Sequence, residues 1–155
     1  MGSNWSELDD WYASVGRYIV TFNFVEVRLH HIAGQLSGGP SGSPRNSLSQ
    51  QLRYTKEAAG RWASIRPNDY ALSDYIARLL DRLSAANEER NELVHSVHFG
   101  AGELGQRVRN VVRDDSTDED WLREAWPLAR VTDAYDRLRA LASDLDMASV
   151  VLLSH

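Results

Sequence analysis

Between residues 8 and 36 an apolar side chain recurs at every third or fourth position: Leu8, Trp11, Val15, Tyr18, Phe22, Val25, Leu29, Ala33 and Leu36. A strand would place successive members of that series on opposite faces, whereas an α-helix gathers them on one side. The spacing therefore predicts a long amphipathic helix from about Asn4 to Leu36, with a stripe that must be buried against other elements. Gly16 interrupts the run at modest cost. It also marks a point where another helix can approach closely.

"SGGPSGSPRNS", residues 37–47, ends that helix. Its two prolines, three glycines and four serines favour turns over any continued helix. A second helix is expected from near Ser47, turning Leu48, Leu52, Ala59, Trp62 and Ile65 inward. Arg53, Lys56, Arg61 and Arg66 give it a basic tilt, which a solvated face also explains. Pro67 then opens a third helix running to about Val97. Its stripe is Ile76, Leu80, Leu83, Asn87, Arg90, Val94 and Val97, so two polar residues in succession break an apolar seam.

After His98 the period changes. Glycines at 100, 102 and 105 and the valine-rich "RVRNVVR" suggest a small hairpin or irregular excursion. The acidic "DDSTDEDW" that follows suits the start of a short helix capped by Thr117, which Pro127 breaks or kinks. A last helix is expected from an N-cap at Thr132 towards Leu153, with Ala134, Leu138, Leu141, Leu145, Ala148 and Leu152 inward. The expected fold is all-α: an up-and-down bundle of four main helices with that excursion between the third and fourth. It forms one domain over residues 1–155, a length sufficient for one core.

The chain has no cysteine, which excludes disulfides and thiolate metal sites. No apolar run approaches the ~20 residues a membrane span requires. The first residues also lack the basic and apolar regions of a secretory signal. Met1-Gly2 with Ser6 matches a myristoylation pattern only superficially. A cytoplasmic location away from membranes is the expectation. The net charge of −5 argues against a broad basic surface that grips nucleic acid, though not against a local site. Lys56 is the single lysine. The arginine bias suits phosphate recognition, but a GC-rich coding sequence produces the same bias.

The chemistry concentrates in "EERNELVHSVHF", residues 88–99. Asn91 and His95 are four apart and share a helix face, so the amide can orient the imidazole. Arg90 leaves the helix at another angle, with a side chain long enough to curl back. Histidine passes protons near neutral pH, and arginine balances charge growing on phosphoryl oxygens.

Arg90-Asn91-x-x-x-His95 near the end of a long helix, in an all-α domain of this size, resembles the motif of the HEPN domains (higher eukaryotes and prokaryotes, nucleotide-binding). A weaker likeness is the first-helix string Gly16, Phe22, Glu26 and Leu29. The resemblance covers most of the chain in layout and six residues in specific motif.

It implies a metal-independent endoribonuclease that needs no cofactor, in which the motifs of two subunits face one composite cleft. The RNA 2′-hydroxyl attacks the adjacent phosphate and leaves a 2′,3′-cyclic phosphate and a 5′-hydroxyl. His95 would act as general base or acid, Arg90 would stabilise the transition state, and Asn91 would position groups around it. Glu26 would support the guanidinium and His98 would line the cleft. The partners implied are RNA and a second copy held through the motif-bearing helices, with tryptophan and tyrosine side chains supplying apolar contact. A toxin-like member adds an antitoxin protein.

Other readings stand beside this one. In these His95 caps a helix end, Glu26 is an ordinary boundary residue, and His98 is an exposed residue at a frayed terminus. The chain is then an inactive nucleotide- or partner-binding module. Glu92-x-x-His95 has the spacing of a di-iron helix, but the sequence holds no second copy; with His98 it offers a single zinc site. The nuclease reading needs a basic rim, for which Arg53, Lys56, Arg107, Arg109 and Arg113 are the candidates. Trp121 and Trp126 have two possible fates, stacking on bases or packing in the core.

Overall fold

In a computed structural model of the protein, residues 4–39, 47–98 and 126–155 are described, with side chains over 9–39, 47–94 and 126–155. Among the described residues the fold is an all-α bundle: α1 (Asn4–Ser37), α2 (Leu48–Ile65), a 3-10 turn (Pro67–Asp69), α3 (Tyr70–His98) and α4 (Leu128–Leu152).

The stripe of α1 is buried as its spacing predicts. Trp11, Tyr18, Phe22, Val25, Leu29, Ala33 and Leu36 lie in the core, joined by Ile32 and flanked by the half-buried Val15. All six residues expected inward on α4 are buried, together with Val131. This extra turn corrects the start of the helix. α4 begins at Leu128 after Pro127, not at an N-cap on Thr132, which is exposed. The cause is tertiary. Trp126 is wholly buried and its carbonyl accepts a 2.7 Å hydrogen bond from Trp11 Nε1, which fixes the chain where it enters the helix.

α2 starts where expected. Ser47 and Gln50 form a reciprocal capping box, Gln50 N donating to Ser47 Oγ and Ser47 N to Gln50 Oε1, which relieves two otherwise unpaired backbone donors. Its far end differs from expectation. Ile65 is 76% exposed because α2 stops there, one turn past the inward Trp62. Pro67 disfavours helical backbone in the residue before it. It opens a 3-10 turn, and the α-helical part of α3 begins only at Tyr70.

Cross-links between side chains give the helix directions. Tyr75 and Arg82 meet Asp144, Glu89 meets Arg137 and Glu92 meets Arg130, so α3 and α4 are antiparallel. Lys56 with Asp81 and Ser49 with Asn87 make α2 antiparallel to α3. Trp11 with Trp126, Arg28 with Asp146 and Gln35 with Ser149 make α1 and α4 run the same way. Up-and-down alternation thus holds along α2, α3 and α4, and α1 packs alongside α4 in the same sense. The stretch expected to form a hairpin and a short capped helix, 99–125, lies outside the described residues.

Candidate functional site

The two polar breaks in the α3 seam face inward. Asn87 is buried, its amide directed at Ser49 Oγ of α2 at 3.4 Å. One turn on, Arg90 is half-buried, with its guanidinium carbon 5.5 Å from the centre of the Phe22 ring on α1. A cation over the negative face of an aromatic ring gains ~0.5–1 kcal/mol at exposed sites and more when desolvated. Arg90 Nη1 also donates a 3.0 Å hydrogen bond to Asn91 Oδ1. Arg90 and Asn91 are therefore coupled, and ring and amide together restrict the arginine fork.

Around this pair α3 is tied to α4. Arg137 Nη2 reaches Glu89 at 2.5 Å, and Arg130 Nη2 lies 3.0 Å from both oxygens of Glu92. Arg130 also stacks on Trp126, its guanidinium carbon 3.7 Å from the ring centre. These pairs are partly solvated, so each adds little stability. Their effect is to hold the rotation of α3 about its axis, and with it the direction of Arg90.

Tyr18 lies one turn before Phe22, and its hydroxyl donates to the Ala86 carbonyl at 3.3 Å. Burial, and next the Glu89 carboxylate, push its phenol well above the ordinary value of 10.0; Arg137 and Arg90 offset only part of this. The folded state thus favours the protonated phenol. That preference contributes stability which is fully present below about pH 10 and is lost as the pH rises beyond it. Thermal melts are expected to fall steadily above that pH. The Tyr18→Phe protein should show a shallower fall, because it has no phenol at that position to ionise on unfolding.

Of the residues singled out in the sequence, Arg90 and Asn91 come together as expected. Glu26 follows Phe22 by one turn on α1 and is half-buried, but among the described residues it forms no ion pair with Arg90. His95 and His98 lie on the last turns of α3, and their side chains are outside the described residues. Glu92, the proposed partner of His95 in a metal site, is engaged by Arg130. The expected basic rim is present only in part: Arg53 is exposed, Lys56 is paired with Asp81 at 2.8 Å, and Arg107, Arg109 and Arg113 lie outside the described residues.

Trp126 packs in the core, and Trp121 lies outside the described residues. Trp11, Trp62, Trp126 and Tyr18 are buried inside the protomer, whereas Tyr12, Tyr54 and Tyr70 are exposed, so among the described residues the aromatic contact expected at a two-fold axis falls to those tyrosines. Sequence reasoning missed Arg130 and Arg137. Each is an ordinary exposed-looking residue in a polar stretch, and only the packing of α4 on α3 brings it to the site.

Between α3 and α4 runs a groove of about 350 Å³ lined by Ala85, Ala86 and Ala134, with Arg82, Glu89 and Arg137 on its rim. Arg90 and Asn91 do not line it. No protein family, curated protein or solved structure matches the chain. Among the described residues no helix is long and apolar enough to cross a membrane.

Proposed function

We propose that the protein is a metal-independent endoribonuclease of HEPN type, acting through Arg90, Asn91 and His95. The observation that carries the reading is the Arg90–Asn91 pair: a half-buried arginine set on the core-facing seam of α3, oriented by Phe22 and by the neighbouring amide, on the same helix as His95. Placing a cation on such a seam costs desolvation, and folds retain that kind of feature where a site requires it.

The chemistry follows from the residue types. The RNA 2′-oxygen attacks the adjacent phosphorus, forming the P–O2′ bond as the P–O5′ bond breaks. A neutral His95 imidazole takes the 2′-hydroxyl proton, and the departing 5′-oxygen takes a proton from solvent or from a second imidazole. Arg90 has donors enough to bind Asn91 and still meet the phosphoryl oxygens as their charge grows. No metal enters this scheme.

The test is cleavage of single-stranded RNA in excess EDTA. Arg90→Ala is expected to lower kcat about 10²- to 10³-fold, the effect of removing one donor to a developing oxyanion. Arg90→Lys keeps the charge but not the planar fork, and is expected to recover only part of the rate. Cleavage that requires added metal, or that is indifferent to Arg90, contradicts the proposal.

A second reading, a module that binds a nucleotide or a protein partner without cutting, is favoured by one observation. The cations nearest the site, Arg130 and Arg137, are neutralised by Glu92 and Glu89, and the chain is acidic overall. Under that reading RNA survives every condition, and mild overexpression leaves growth unchanged with or without Arg90.

A further inference from the structure

The side of α1 turned away from the core carries its own stripe. Ala13, Gly16, Val20, Phe24, Val27 and His31 follow at steps of three and four, and all are exposed. Val20 is 55%, Phe24 66% and Val27 51% exposed, and a Cβ added at Gly16 would meet nothing within 4 Å. The close approach expected at Gly16 is therefore not made inside the protomer. A helix with apolar stripes on opposite sides has two partners to satisfy, and the bundle supplies one.

We infer that a second copy of this chain packs antiparallel on the outer stripe of α1, with Val20 on the two-fold axis. Pairing about Val20 sets Gly16 against Phe24, Ala13 against Val27, and Asp9 against His31. The largest exposed ring thus meets the open glycine position, and the acidic start of the stripe meets the histidine at its end. A parallel pairing would instead oppose Phe24 to Phe24, Asp9 to Asp9 and Arg17 to Arg17. Steps of three and four suit helices crossing at about 20°, which keeps the ends of the stripe within reach.

The area is adequate. The stripe is about 27 Å long, and α4 borders its end, where His31 and Gln35 share a groove with Ser149 and Leu153. Roughly two helix widths of surface on each copy bury about 1,100 Å² in total, just above the ~1,000 Å² that a biological interface has to clear. The isologous contact closes as a dimer. It lies on the opposite side of α1 from Phe22, so the two Arg90 clusters stay apart: this is a different contact from the pairing through motif-bearing helices that the HEPN resemblance implies, and it does not depend on the nuclease reading.

Sedimentation of the full chain tests the inference. Val20→Arg places two cations at the axis and is expected to halve the sedimenting mass and weaken association at least ~10-fold, with helical circular dichroism unchanged because Val20 is exposed. The chain has no cysteine, so single substitutions report by cross-linking. Asp9→Cys mixed with His31→Cys is expected to cross-link through a short bis-maleimide, and neither variant alone to do so. A wild-type mass of one chain, 17.5 kDa, at every concentration would overturn the inference, because something other than a second copy would then meet the stripe. A mass unchanged by Val20→Arg, or Asp9→Cys cross-linking to itself, would overturn it equally.

Discussion

His95→Ala protein is expected to cleave RNA about 10²- to 10⁴-fold more slowly than wild type, the range lost with a general acid–base group, and to keep its helical circular dichroism and sedimenting mass. The register of α3 is the reason. The helix is continuous from Tyr70 to His98, so His95 sits one turn after Asn91 on the same face, and Asn91 accepts from Arg90. Removing the imidazole takes away the proton acceptor and leaves the Arg90–Asn91 pair and the ion pairs of Glu89 and Glu92 intact. Added imidazole is expected to restore part of the rate, which a purely structural histidine would not allow. If His95→Ala unfolds the protein, the histidine is a structural residue and the proposed chemistry fails at its first step.

The largest loss of stability is expected at Trp126. Its side chain is wholly buried, one face of the ring carries Arg130, and its carbonyl holds Trp11 of α1. Trp126→Ala opens a cavity where α1 and α4 begin. Substitutions of this kind cost ~3–5 kcal/mol, which for a domain of this size lowers Tm by roughly 10 °C. Trp126→Phe is informative beside it. The indole N–H is buried with no hydrogen-bond partner among the described residues, so phenylalanine removes an unpaired donor while keeping most of the ring. Its cost is expected to stay near ~1 kcal/mol or below. Thermal and urea melts of the two variants check both figures, and a Trp126→Ala protein as stable as wild type contradicts the packing described here.

Most of the bundle is legible in the sequence because helical spacing reports burial directly. The stripes of α1 and α4 are buried residue for residue, apart from the half-buried Val15 and from Leu8, whose side chain lies outside the described residues. The capping box at Ser47 follows from chemistry three residues long. The misreadings occur where long-range packing decides. Thr132 has good N-cap chemistry, but Trp126 and Val131 are drawn into the core and start α4 a turn earlier. Ile65 continues the period of α2, yet the core ends at Trp62.

Gly16 was expected to admit a neighbouring helix, and inside the protomer it faces open space. The site divides in the same way. Arg90 and Asn91 are visible as adjacent polar residues on an apolar seam. Phe22 as the ring beneath Arg90, and Arg130 and Arg137 as the clamps on Glu92 and Glu89, depend on three helices meeting, which no local spacing encodes.

The nuclease reading rests on one chemical step, attack by the 2′-oxygen, and the most direct measurement follows that atom. An RNA oligonucleotide is incubated with the protein in EDTA beside the same oligonucleotide bearing a 2′-O-methyl group at each cleaved position, and the product ends are identified by mass. The expected result is 2′,3′-cyclic phosphate and 5′-hydroxyl ends from the unmodified RNA and no cutting at the methylated positions. Cleavage of the methylated RNA, or products carrying a 5′-phosphate, would contradict the proposed chemistry.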